Sequence, residues 1–264
     1  MVRPVIAMLS DFGSRDHYAG VMKGVMLSIL ADVTLVNVSH DLPAHDVPFA
    51  AQELAATYKY FPPGTIFLVV VDPGVGTHRR GLAAEAGDWR FVAPDNGVLT
   101  AVFEEVPPKR VVELTERRYA RPTVSRTFEG RDRFAPAAAW LAKGIQLPAF
   151  GRQVTDYELL DLPKPVLEDG VLRGVVVRID TFGNVITNLD RHSCERLTET
   201  PGGVQLRVRD MPIPRIVTTF ADLADGEIGA LFGSTDHLEC AALEASAAEQ
   251  LGVTVGDPVE LRRT

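Results

Sequence analysis

Thr65-Ile66-Phe67-Leu68-Val69-Val70-Val71-Asp72-Pro73-Gly74-Val75-Gly76-Thr77-His78-Arg79-Arg80 is an apolar run that stops abruptly at a carboxylate. A run of this length, rich in β-branched residues and free of charge, predicts a strand buried on both faces, as in a parallel sheet. Asp72 then falls at the C-terminal end of that strand, where open α/β sheets place their ligand crevice. Pro73 and Gly74 force a turn, and Gly76 permits a positive φ or a close backbone approach. With Arg79 and Arg80 following, one loop carries a carboxylate and a guanidinium. Taken alone, such a stretch is a tight turn with a solvated arginine. The rest of the chain points further.

Upstream, 5–9 reads as a strand followed by Ser10-Asp11-Phe12-Gly13, and 18–30 has helical apolar spacing. Residues 33–38 form a second strand ending in Ser39-His40-Asp41. Residues 46–60 read as a helix that Asp46 can N-cap, with Pro48 tolerated in its first turn. The opening order β-α-β-α-β implies a parallel sheet. Downstream come short strands at 81–86 and 89–93, the turn Pro94-Asp95-Asn96-Gly97, a helix at 98–105 and a strand at 110–114. The polar loop 127–132 leads into an Ala-rich helix at 133–143, closed by Gly144. Composition shifts near Tyr157, and 161–170, with Pro163, Pro165 and Gly170, reads as a linker. Beyond it the pattern is all short strands, at 171–180, 185–189, 203–208, 213–220, 227–232, 237–241 and 258–262. The expected architecture is therefore an α/β N-terminal domain with a mainly parallel sheet (1–156), a linker (157–169), and a smaller all-β antiparallel barrel domain (170–264).

Composition narrows the function. The 264 residues carry 27 Lys+Arg against 35 Asp+Glu, a net charge of −8, which argues against nucleic acid and anionic membrane surfaces as partners. No apolar run is long enough to span a bilayer. The opening Met1-Val2-Arg3-Pro4-Val5-Ile6 leads straight into a strand pattern without signal-peptide features, so a cytoplasmic location is expected. Cys194 and Cys240 are far apart and lack metal-ligand spacing, and the six histidines are not paired as ligands, so neither a disulfide framework nor a metal site is expected. The chain has no G-x-G-x-x-G after its first strand, no phosphate-cradling G-x-x-x-x-G-K-[ST], and no G-x-S-x-G nucleophile turn.

Asp11 and Asp72 both follow buried strands and would face one crevice, where an acidic side chain suits both hydroxyls of a ribose. The plainer reading of Asp11 is an N-cap for a helix starting near Asp16. The loop Thr127-Phe128-Glu129-Gly130-Arg131-Asp132 would by itself be a salt-bridged helix start. Ile179-Asp180-Thr181-Phe182-Gly183-Asn184-Val185-Ile186-Thr187-Asn188 reads as a hairpin turned at Gly183-Asn184. Asn184 and Phe182 could also serve an adenine, an amide reading base edges and a ring stacking on the base face.

Taken in order, Ser10-Asp11-Phe12-Gly13, Val71 to Thr77 with Arg79, Pro94 to Gly97, Thr127 to Asp132 and Asp180 to Val185 resemble the S-adenosylmethionine hydroxide adenosyltransferases. These are also called adenosine-forming S-adenosylmethionine hydrolases, and the fluorinase and chlorinase are their relatives. The resemblance covers nearly the whole chain. It implies an N-terminal α/β domain, a C-terminal β-barrel, and a homotrimer with active sites at subunit interfaces. The resemblance also implies S-adenosylmethionine as the substrate and no cofactor. By motif position, Asp11 would hold the ribose hydroxyls, Phe182, Phe220 and Asn184 the adenine, and Asp180 and Ser234 the amino-acid end. Phe128 would be a further substrate contact. Asp72 and Arg79 match two members of the hydrolases' Asp-Arg-His set, and Glu129 stands where the hydrolases carry His. Pro163 and Thr235 stand where halogenases place polar or basic groups.

Water is the expected nucleophile. Halogenases replace the carboxylate at the position of Asp72, which would repel a halide in a poorly solvated pocket, and the insertion typical of the fluorinase after the strand pair near Trp89 is missing. The alternatives are a halogenase and a non-catalytic S-adenosylmethionine- or adenosine-binding protein. Near Asp72, Glu129 would form a like-charge pair that suits a general base, unless Arg79 or Arg131 lies between them. Alternatively it pairs outward with Arg131 or Arg133 and leaves the water to Asp72.

Overall fold

A computed structural model of the chain describes residues 3–198 and 203–263, and the chain divides into the units Met1–Leu162 and Pro163–Thr264. The first unit runs β1 (Val5–Ser10), α1 (Tyr18–Ile29), β2 (Thr34–Ser39), α2 (Val47–Tyr58), β3 (Ile66–Val70), β4 (Gly81–Ala86), β5 (Trp89–Pro94), α3 (Thr100–Glu105), β6 (Pro108–Glu113) and α4 (Ala135–Ala142). Its strands lie in the order β2-β1-β3-β5-β4-β6. The first four in that order are mutually parallel, while β4 is antiparallel to both neighbours. The 65–71 run thus supplies the middle of the parallel portion, and every residue of β3 is buried.

The two-residue period of β3 divides its side chains between two cores. Phe67, Val69 and Val71 point to the face covered by α2 and α3, with Leu54, Phe91 and Val102. Ile66, Leu68 and Val70 point to the face covered by α1 and α4, with Met22, Met26, Phe134 and Ala138. Both faces are closed to water, which is why the run carries no polar alternation. Asp46 does cap α2, its carboxylate accepting from Phe49 N at 2.9 Å. Asp11 does not cap α1: His17 holds that position and makes no side-chain cap.

Two local devices shape the edge of the sheet. Gly76 has φ +79°, and a Cβ there would lie 2.4 Å from the carbonyl oxygen of Arg126, so only glycine lets the 72–79 loop close on the 125–129 segment. The expected polar loop at 127–132 also differs in its second half. Gly130–Phe134 is a π-helical turn leading directly into α4, with Ala135 N donating to Gly130 O. Gly130 sits against the sheet, where a Cβ would come within 3.0 Å of Val70 Cγ1 and 3.3 Å of Met22 Sδ.

The second unit runs β7 (Val166–Glu168), β8 (Val171–Ile179), β9 (Val185–Asp190), α5 (Arg191–Thr198), β10 (Val204–Val208), β11 (Met211–Pro212), β12 (Ile228–Phe232), β13 (His237–Ala242), α6 (Ala247–Leu251) and β14 (Pro258–Arg263). All named pairings are antiparallel, in the order β11-β10-β14-β8-β9-β13-β12 with β7 beside β8. Leu172, Val176, Leu189, Leu238, Cys240 and Val259 form its core. The expected antiparallel domain is present, but not as a closed barrel: among the described residues the path ends at β11 and β12, which do not pair.

Three readings of this half need correction. The stretch read as linker contains β7. The all-strand pattern is interrupted by α5 and α6. Residues 213–220 are not a strand: Pro214 has no N–H to give a ladder, and an isolated bridge at Ile216–Ala230 remains, with Val217 N donating to Ala230 O and Ala230 N to Arg215 O. No helix among the described residues is long and apolar enough to cross a membrane.

Candidate active site

Asp72 leaves the C-terminal edge of the parallel strands two residues past β3, and its loop folds back to bring Arg79 beside it. Arg79 Nε donates to Asp72 Oδ1 at 2.8 Å, and Arg79 Nη2 donates to Asp72 Oδ2, a bidentate pair. The same Nη2 lies 2.8 Å from Glu129 Oε2. Arg79 therefore sits between the two carboxylates, and the direct like-charge pair does not form. Arg133 approaches Glu129 from the other side, Nη1 to Oε2 at 3.2 Å. The expected inner and outer partners of Glu129 are thus both present, whereas Arg131 is turned away onto Asp132. The side chains of Asp72, Arg79 and Glu129 are only 5%, 9% and 11% exposed. The Arg79 guanidinium also lies 5.0 Å over the Phe134 ring. Arg80 is engaged elsewhere, with Asp95 and Asp156.

Burial pushes the Asp72 carboxyl above the ordinary carboxylate range, and the negative Glu129 adds to this, against the hydrogen bonds and charge of Arg79 and a backbone N–H from Gly74. A raised carboxylate is a better proton acceptor near neutrality. Asn96 anchors the strand end that presents it, donating from Nδ2 to Val71 O at 2.9 Å.

In front of this row lies a cavity of about 300 Å³ whose lining includes Asp11, Tyr18, Asp72, Phe128 and Glu129. The pairing of Ser10 with Val70 brings Asp11 and Asp72 out at the same edge. Asp11 is held by the backbone N–H of His45, 2.8 Å from Oδ2. Phe12, Tyr18 and Phe128 meet with ring centroids 5.1 to 5.7 Å apart and form an aromatic side of the cavity. Asp11, Asp72, Arg79, Phe128 and Glu129 are thus gathered in one unit. His45 and Asn96 act there through their own hydrogen bonds, and only Asn96, in a dense turn signal, had a trace in the sequence.

The remaining candidates lie in the second unit. The hairpin at 180–184 is real, with Gly183 at φ +82°. Asp180 organises it: Oδ1 accepts from Phe182 N and Asn184 N, and Oδ2 from Asn184 Nδ2, all at 2.9 Å. The turn leaves Phe182 79% exposed, while Asn184 is buried. Phe220 lies on a single 3-10 turn and is 42% exposed. Ser234 is exposed on the turn between β12 and β13. Beside Asp180 are two charged residues the sequence reading passed over. Burial and the negative Asp180 raise Glu239, opposed by Arg178, and burial lowers Arg178. Gly233, next to Ser234, has no room for a Cβ because Glu239 Oε2 would lie 2.2 Å away. Glu239 could have been noticed as a carboxylate inside the largely apolar β13, whereas Arg178 is one of two arginines in β8 and carried no such signal.

Comparison with known proteins agrees along the length of the chain. The model of the SAM hydroxide adenosyltransferase N-terminal domain matches residues 6–151, and that of the C-terminal domain matches residues 174–260. An (R)-S-adenosyl-L-methionine hydrolase of Thermus thermophilus is 39% identical, covering 98% of this chain and 100% of the relative. A hydrolase of the same name from Salinispora tropica is 38% identical over 96% of each. A fluorinase of an Actinoplanes species is 32% identical, covering 86% of this chain and 85% of its own. Among solved structures, an uncharacterized conserved protein from Thermotoga maritima matches with a TM-score of 0.93 at 37% identity, covering 98% of this chain and 100% of that one. With both domain models matched in order and relatives aligned over nearly their full length, the chain belongs to the SAM hydroxide adenosyltransferase family.

Proposed function

We propose that the protein hydrolyses S-adenosyl-L-methionine to adenosine and L-methionine. The observation that carries this reading is the buried row Asp72–Arg79–Glu129 at the C-terminal edge of the parallel strands, bordering the cavity that Asp11 also lines. The sulfonium is already an activated leaving group, so the site needs no general acid. Water attacks ribose C5′ in line with the C–S bond. The new C–O bond forms as the C–S bond breaks, its electron pair passes to sulfur, and methionine leaves as a neutral thioether. The task of the protein is to position the water and receive its proton. Arg79 fixes the two carboxylates, and Asp72, raised by its burial, can receive the proton. The developing charges of nucleophile and sulfonium cancel, so a poorly hydrated site favours the reaction.

In this reading Asp11 holds the ribose hydroxyls and Phe128 forms the wall beside it. Phe182, Phe220 and Asn184 serve the adenine, and Asp180 and Ser234 the amino-acid end. No cofactor takes part. The assembly is a homotrimer with sites at subunit interfaces, located in the cytoplasm. The first unit carries the catalytic row.

The experiment is incubation with S-adenosylmethionine in water enriched in oxygen-18, with chloride and fluoride present, and mass analysis of products. Adenosine labelled at its 5′ oxygen plus methionine is expected. A 5′-halogenated nucleoside would replace the reading with a halogenase, and bound but intact substrate would replace it with a binding protein.

A further inference from the structure

Glu129 has a second cation behind it. Arg79 Nη2 and Arg133 Nη1 reach the same oxygen, Glu129 Oε2, at 2.8 and 3.2 Å. Arg133 lies at the far side of the π-helical turn, and its Nη2 donates to the carbonyl of Leu114 at 2.6 Å, immediately past β6. A guanidinium is planar and rigid, so fixing one nitrogen on main chain fixes where the other points. Arg133 therefore connects Glu129 to the sheet. Charges along the row alternate: Asp72 negative, Arg79 positive, Glu129 negative, Arg133 positive. Without Arg133, a single guanidinium would serve two buried carboxylates.

A second cavity of about 300 Å³ lies on the Arg133 side, its lining including Leu114, Tyr119, Glu129, Arg133 and Phe150. Glu129 also lines the front cavity beside Asp11 and Asp72. Among the described residues it alone is common to both linings, so it forms part of the partition between them, braced by Arg133.

We infer that Arg133 is a positioning residue for hydrolysis: it holds the Glu129 carboxylate in place and leaves Arg79 committed to Asp72. This rests on the hydrolase reading above. Arg133 acts through Glu129 and belongs to the second cavity rather than to the substrate's.

The test is steady-state adenosine release by the full-length protein and the variants Arg133→Met, Arg133→Lys, Arg133→Ala, Glu129→Gln and Glu129→Gln/Arg133→Met, each followed from pH 6 to 9. Arg133→Met is expected to lower kcat by about tenfold, the scale of one charge-assisted hydrogen bond, with KM within about twofold. Its acid limb should move to higher pH, because removing a positive charge makes the row hold protons more tightly. Arg133→Lys should recover part of the rate, and added guanidinium ion, reaching the space left in the second cavity, should partly rescue Arg133→Ala. The double variant should be no slower than Glu129→Gln alone, since one residue acts through the other. Wild-type kcat and pH profile in Arg133→Met would overturn the inference. So would a loss that neither lysine nor guanidinium restores, which marks a purely structural role. If the wild-type protein itself releases no adenosine, the hydrolase reading fails and this inference falls with it; an active wild type beside an unaffected Arg133→Met removes this inference alone.

Discussion

Replacing Arg79 with methionine keeps the apolar stem and removes the charge shared by two carboxylates. The side chains left behind, Asp72 and Glu129, are 5% and 11% exposed. Glu129 keeps Arg133, but Asp72 loses both hydrogen bonds to Arg79 and retains a backbone N–H from Gly74. Removing one partner of a buried ion pair costs about 3–5 kcal/mol. The row borders an open cavity and water can reach the orphaned carboxylate, so the lower end, about 3 kcal/mol, applies at pH 8. The loss depends on pH. Asp72 is already raised in the native protein, and without Arg79 the larger contributions that pull it down disappear, leaving only the Gly74 N–H. A raised carboxylate holds a proton in the folded state that the unfolded chain has released. Stability therefore falls as pH rises from the ordinary value of about 3.9 to the raised one, and is level above it. The variant has the wider window, so its deficit should be smaller near pH 5 than at pH 8. Urea unfolding followed by tryptophan fluorescence measures this cleanly. Trp89 and Trp140 are the chain's only two tryptophans, and both lie in the Met1–Leu162 unit, so the signal reports that unit. Turnover should fall further than substrate affinity. Equal deficits at both pH values, or a deficit below about 0.5 kcal/mol at pH 8, the level of an ordinary surface change, would refute the argument.

Asp132 offers the opposite sign. Burial alone would push it up, but hydrogen bonds from Arg131, Ser125 N and Arg121 outweigh this and hold it below the usual carboxylate range. Its contribution is therefore complete above the ordinary carboxylate value and is lost as pH falls through the depressed one. Asp132→Asn should cost about 2–3 kcal/mol in thermal or urea unfolding at pH 7, a gap that closes in acid; a gap that widens in acid would contradict this. The proposed homotrimer predicts three times the chain mass by light scattering, and a fully active monomer would exclude sites shared between subunits.

The β-α-β-α-β opening was legible because burial on both faces leaves no room for polar residues in 66–70, and because Asp46 and Pro48 mark a helix start by local chemistry alone. The row of Asp72, Arg79 and Glu129 was legible as residues, not as geometry. That Arg79 lies between the carboxylates depends on the closure of the Gly76 loop onto Arg126, a contact fifty residues away in sequence. The second half was harder to read for physical reasons. Among the described side chains of α5 only Cys194 and Leu197 are buried, so its apolar signal is weak. The strand β7 is exposed throughout and carries no burial pattern. By contrast, α6 had a readable start and stop: Ser246 accepts from Glu249 N, and Gly252 ends it at φ +58°. Five residues gave too little periodicity to outweigh the surrounding strands.

The π-helical turn at Gly130–Phe134 houses one residue more than an α-helix would use over the same rotation, closed by Ala135 N donating to Gly130 O. Because the turn absorbs that residue locally, Glu129 and α4 keep the faces that an uninterrupted α-helix would give them. Deleting one residue within the turn would let it relax into ordinary α-helix with Glu129 still facing Arg79. The spacing between the carboxylate and α4 is therefore less restrictive than the identity of Glu129 and its two arginines, and aligned relatives that share the row are expected to tolerate a one-residue gap between Gly130 and Phe134.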